Sequence, residues 1–171
     1  MKFKVISTCV FIALLLSSCG KKEENIARKK DVFTVTIEAV FAKNDKLQIF
    51  YLPEGGEWKD ENSVFRPVYA SNDMQKIVIN FPDKVFPENI RVDLGYNTTQ
   101  QNVTIKNISI RHNSKVIDGD FEAYKKYFYG NEFVTWDANY FGYKLSQVNN
   151  QYDPFLMGNN ELMDELQRLK Y

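Results

Sequence analysis

Apolar and polar residues alternate along most of this chain with a period of two, the spacing of a strand that turns one face inward. Between Val32 and Ala42, Phe33, Val35, Ile37, Ala39 and Phe41 fall on one side, and Thr34, Thr36 and Glu38 on the other. Lys43-Asn44-Asp45 turns the chain. Leu47, Ile49 and Tyr51 then resume the alternation until Pro53-Glu54-Gly55-Gly56 breaks it. Residues 53–63 read as a polar loop carrying Trp58. Val64 to Ala70 reads as an edge strand, because Pro67 has no N–H to give to a ladder. Ile77, Ile79 and Phe81 make a further strand, as do Ile90, Val92 and Leu94 before Gly95.

The stretch 103–111 changes phase. Val103 and Ile105 share one parity, Ile108 and Ile110 the other, so a strand keeping all four inward needs an extra residue near Lys106-Asn107. A β-bulge supplies one. Asn113-Ser114-Lys115 turns the chain toward Val116 and Ile117. Asp120 to Phe128 reads as one short helix, with Phe121, Tyr124, Tyr127 and Phe128 along a face. Phe133 to Trp136 and Tyr140 to Ser146 read as late strands. Asn160 is the expected N-cap of a terminal amphipathic helix striped by Leu162, Met163, Leu166 and Leu169. Seven to nine short strands with frequent turns predict an all-β fold, an antiparallel β-sandwich with one short internal helix and a C-terminal amphipathic helix.

The first residues follow another rule. Lys2 and Lys4 precede Val5 to Leu16, which is apolar apart from Ser7 and Thr8. Its length of about 12 residues suits a signal-peptide core and falls short of the roughly 20 a membrane span needs. Leu16-Ser17-Ser18-Cys19 then resembles the lipobox of bacterial lipoproteins. The resemblance implies cleavage after Ser18, a diacylglyceryl group on the Cys19 sulfur and further acylation with fatty acids such as palmitate. Two or three chains anchor stably where one is marginal. Lys22-Glu23-Glu24 is similar to the export signal of surface lipoproteins in Bacteroidetes-type bacteria. The implied location is the cell envelope, lipid-anchored at the outer membrane on its surface or periplasmic face. The expected division is a leader over 1–18, a disordered charged tether over 19–31, a sandwich domain over 32–157 and a helix over 158–171. Cys9 leaves with the leader, so the mature chain keeps one thiol, the lipidated one, and makes no internal disulfide.

Charge narrows the partners. The chain has 22 basic and 22 acidic side chains, and removing Lys2 and Lys4 leaves 20 against 22. That is no footprint for nucleic acid. The 13 Phe and 10 Tyr must fill a core or form a contact surface. Ile90-Arg91-Val92-Asp93-Leu94-Gly95, followed after a polar loop by Val103-Thr104-Ile105-Lys106-Asn107-Ile108-Ser109-Ile110, is similar to paired strands in jelly-roll carbohydrate-binding and galactose-binding-like domains. The resemblance implies a jelly-roll-like sandwich; it carries over no binding residue.

Candidate chemistry is sparse. The one histidine, His112, stands at a strand end beside a turn and is expected at the surface or in a hairpin. With no free cysteine beside it, neither a zinc site nor a nucleophilic triad is expected. Asp118, Asp120 and Glu122 around Gly119 offer oxygen ligands for a structural calcium, although the full calcium-loop spacing is missing, and no other cofactor is expected. Trp58, Trp136, Tyr140 and Tyr143 are the candidate ligand-binding residues, because flat rings on loops stack against sugar faces; packing into the sandwich is their other fate. The sequence therefore predicts a lipid-anchored, non-catalytic β-sandwich that binds a glycan or an envelope protein. The alternatives are an assembly subunit that docks through the terminal helix, or a polysaccharide hydrolase using two facing carboxylates.

Overall fold

Phe33, Val35, Ile37, Ala39 and Phe41 are all buried, while the residues between them turn away from the core. All but Phe33, which immediately precedes it, lie in strand β1, Thr34–Phe41. The computed structural model describes residues 32–171; the expected leader, Cys19 and the expected tether over 19–31 lie outside the described residues. Beyond β1 come β2 (Asp45–Pro53), β3 (Ser63–Val68), β4 (Gln75–Asn80), β5 (Pro87–Asp93), β6 (Asn102–His112) and β7 (Lys115–Ile117). Then follow β8 (Phe128–Gly130), β9 (Val134–Asp137), β10 (Gly142–Leu145), β11 (Phe155–Gly158) and the helix α1 (Asn160–Lys170).

The strands form two antiparallel sheets. The first has the order β4-β1-β6-β10-β9, with β7 hairpinned onto β6; the second has the order β3-β2-β5-β11-β8. Their inner faces share one core that includes Ile37, Leu47, Ile49, Ile90, Val92, Ile105, Ile108 and Leu156. The expected all-β antiparallel sandwich is the observed fold, with eleven strands among the described residues rather than seven to nine. The edge position expected for the Pro67 strand is also observed, since β3 pairs only with β2.

The phase change in β6 resolves as a bulge. Glu38 stands opposite Asn107 but Ala39 stands opposite Ile105, so Lys106 is the unpaired extra residue. Val103, Ile105, Ile108 and Ile110 are all buried as a result.

The short internal helix expected over Asp120–Phe128 is a single 3-10 turn, Ala123–Lys126, shorter than the expected span, and Phe128 begins β8. The cause is local. Phe121 and Glu122 adopt left-handed backbone (φ 50° and 66°), which a right-handed helix cannot contain. The Glu122 N–H is drawn instead to the Lys106 carbonyl at the bulge, 3.1 Å away. Tyr124 alone of the expected stripe is fully buried, and Phe121 stands in solvent.

The terminal helix forms, capped one residue earlier than the sequence suggests. The Asn159 side chain accepts from the Leu162 N–H at 3.0 Å. Leu162, Leu166 and Leu169 are buried in the sandwich core. His112 differs from expectation in its environment. It does sit in the β6–β7 hairpin, opposite Lys115, but it is buried. Its ring stacks on Phe33 at 4.3 Å, and its Nδ1 lies 3.0 Å from the Leu169 carbonyl. That carbonyl can only accept, so Nδ1 carries the proton and the histidine ties α1 to the sheet.

Candidate functional site

Directly opposed residues in a ladder share a face. Gln48 on β2 stands opposite Phe65 on one side and Asp93 on the other, and Asp93 stands opposite Phe155. Phe50 stands opposite Arg91. These side chains occupy the outer face of the second sheet, where an isolated sandwich would need only solvated polar groups. An open cleft of about 340 Å³ lies over this face, lined by Gln48, Phe50, Trp58, Lys59, Asp60, Arg91, Asp93, Tyr96 and Asp153.

The floor is organised around Arg91. Its guanidinium grips Asp93 with two bonds, Nε to Oδ1 at 2.6 Å and Nη2 to Oδ2 at 2.8 Å. The same Nη2 reaches Asp153 at 3.2 Å. The guanidinium plane is held by rings, 4.0 Å from the centroid of Phe155 and 5.1 Å from that of Phe50. A fork bonded along its Nε–Nη2 edge and packed against two rings has little freedom, which is where arginine differs from lysine. Asp93 is only 5% exposed. Burial pushes its carboxyl up to about 6; the Arg91 bonds pull it back only in part, and Asp153 adds to the rise.

The walls come from two loops. Asp45 accepts the backbone N–H groups of Tyr96 and Asn97, both at 2.9 Å, and so fixes the loop after β5. Gly95 makes that approach feasible: its φ is 131°, and a Cβ there would sit 2.1 Å from an Asp45 oxygen. Tyr96 is thereby placed to donate its hydroxyl to the Gln48 side-chain oxygen, while the Gln48 amide donates to Ser63 Oγ at 2.8 Å. The Lys46 ammonium rests over the rings of Phe65 and Tyr96, at 4.6 and 4.7 Å. Burial raises the Tyr96 phenol, and the nearby Asp93 and Asp153 carboxylates raise it further. The second wall is the loop after β2, closed by Asn62 N–H donating to Lys59 O at 3.0 Å and by Ser63 Oγ donating to Asp60 O at 2.6 Å. It carries Trp58, Lys59 and Asp60.

The four candidate aromatics are divided between the sheets. Trp58 is 39% exposed and lines the cleft. Trp136 and Tyr143 face each other across β9 and β10 of the first sheet, with ring centroids 5.3 Å apart and edge to face. Tyr143 is buried in the core, and burial raises its phenol. Trp136 is half-buried beneath the Lys125 ammonium. Tyr140 is exposed in the turn between β9 and β10. Trp58 alone of the four joins the cleft.

The carboxylates considered for calcium turn elsewhere. Asp118 accepts from the Asp120 N–H at 3.0 Å, Asp120 lies 3.4 Å from Lys106, and Glu122 pairs with Lys125 at 2.6 Å. Among the described residues, no cluster of three or more His, Cys, Asp or Glu side chains is arranged to hold a metal ion.

Sequence reasoning missed most of the cleft. Two signals were present: Phe50, an apolar residue at an outward position of β2, and the Arg-x-Asp spacing of β5, which supplies the floor pair. An antiparallel sandwich with an aromatic and carboxylate-lined cleft on an outer sheet face is thus the class of protein that fold and site define. No protein family, curated protein or solved structure matches the chain.

Proposed function

We propose that this protein is a lipid-anchored module of the cell envelope that binds a glycan, without catalysis, in the cleft over β2 and β5. The observation that carries the reading is the pre-organised floor, in which a planar Arg91–Asp93 pair lies beside exposed Trp58 and Tyr96 rings. Sugars are recognised by rings under their apolar faces and by fixed polar groups that meet their hydroxyls. A non-catalytic role is favoured because Asp93 and Asp153 share one guanidinium, and both Asp93 oxygens are already bonded to it. A general acid must present its proton to a leaving group. The terminal helix spends its leucine stripe on its own sandwich, which weighs against the assembly-subunit alternative that docks through that stripe.

The anchor fits this placement. Phe33, at the start of β1, packs against Phe86 and His112 beside the beginning of β5. Asp93 ends β5, about 20 Å farther along at 3.4 Å per residue. A tether joined before Phe33 would thus enter the sandwich at the end of β5 away from Asp93.

Calorimetric titration with a broad panel of soluble oligosaccharides tests the binding. Saturable heat that disappears in Trp58→Ala supports it, and silence across the panel refutes it. Mass spectrometry of the mature chain tests the anchor: an uncleaved, unmodified N-terminus rejects it.

A further inference from the structure

Resting on the cleft reading above, we infer that the ligand is cationic: a glycan bearing free, unacetylated amino groups, held with its ammonium against Asp60 and the aromatic rim. Three observations converge on this class.

The first is what the floor leaves unused. Gln48 is bonded to Ser63 and Tyr96, and Asp93 is bonded twice to Arg91. A ligand therefore meets the rim, where Asp60 and the half-exposed Asp153 offer acceptors. The second is charge. The lining holds three carboxylates, Asp60, Asp93 and Asp153, against Lys59 and Arg91. Arg91 is already committed to two of them. The wall loop adds Glu57 and Glu61 on either side of Lys59 and Asp60, against Lys46 on the same face, and the balance stays negative. A field of this sign, focused by low-dielectric walls, concentrates cations and repels uronic acids. The third is the behaviour of the rings. This face already seats its own cations on aromatic faces, Lys46 on Phe65 and Tyr96, and Arg91 on Phe50 and Phe155. Trp58 adds the ring type with the strongest cation–π attraction beside Asp60.

A protonated amine satisfies all three. It places a donor-only group among acceptors and stacks where the face accepts positive charge. Acetylation removes the charge and leaves an amide that the acceptor-rich rim cannot exploit equally.

Four oligosaccharides of equal length decide the matter by calorimetry at low salt and about pH 6, where the sugar amines hold their protons: a glucosamine oligomer, its fully N-acetylated counterpart, a neutral glucan and a galacturonate. The glucosamine oligomer should bind about tenfold or more tightly than the others, a gap of about 1.4 kcal/mol. That preference should collapse in Asp60→Asn and fade with added salt. Asp60 makes its fold contact through its backbone carbonyl, so the asparagine variant keeps the loop. Equal or tighter binding of the N-acetylated, neutral or acidic oligomer overturns the cationic assignment and leaves the glycan cleft standing. No binding by any of the four overturns both.

Discussion

Replacing Asp93 with asparagine keeps the shape of the cleft floor and removes its buried charge. In the native protein, burial lifts this carboxyl from 3.8 to about 6. The folded state therefore holds the Asp93 proton more tightly than the unfolded chain does. Between those two values the folded protein binds more protons, so stability falls as pH rises through the window. Each unit corresponds to about 1.4 kcal/mol, which puts the total at roughly 2–3 kcal/mol between pH 4 and pH 7. Side-chain exposure of Asp93 is 7%, so solvent screening removes little of it. Urea unfolding of wild type and Asp93→Asn across that range isolates the contribution, because other carboxylates cancel in the difference. The wild type should gain on the variant by that amount as pH is lowered from 7 to 4. Any constant offset reports the loss of the Arg91 pair and does not bear on the slope. A pH-independent difference, or one that grows toward neutral pH, refutes the claim that burial outweighs the guanidinium.

Other substitutions probe the frame. Leu166→Ala removes a fully buried side chain of α1 and should lower stability by about 2–5 kcal/mol in denaturant melts, while deletion of 159–171 should abolish cooperative unfolding. Gly95→Ala forces a Cβ into the Asp45 carboxylate at a left-handed backbone position; a loss of about 1–3 kcal/mol is expected, with weaker ligand binding because Tyr96 shifts. Phe121→Asn suits its positive φ and gives up no buried contact, so thermal melts should show no loss and up to about 1 kcal/mol of gain.

How much was legible in the sequence follows from which interactions decide each element. β1, β2, β4, β5 and the bulge in β6 were readable because a one-sided core imposes parity directly on the residues. β8 and β11 escaped notice. Phe128–Gly130 and Phe155–Gly158 are short, and each is a strand because a neighbour pairs with it rather than because of its own pattern. The internal helix is shorter than the helical spacing of Phe121, Tyr124, Tyr127 and Phe128 suggests, because Glu122 is captured by the Lys106 carbonyl, which is remote in sequence. His112 looked exposed because burial at a hairpin depends on α1 arriving 57 residues later. The cleft was the least visible, since it joins β2, the loop after it, β5, the loop after that, and Asp153. Trp58 alone of its lining residues is among the candidates the sequence singles out.

The Lys106 bulge also strengthens the link between β6 and the segment leading to β8, which the buried Tyr124 already ties to Ile105. Its insertion resets the phase of β6, and the same residue offers its carbonyl to Glu122 and its ammonium to Glu38 and Asp120. Excising that single residue would turn Val103 and Ile105 out to water while Ile108 and Ile110 stayed inside, and would also unhook the segment leading to β8. Length variation in β6 is therefore confined: two half-strands on independent phases, joined at a clutch that allows neither one fewer residue nor one more.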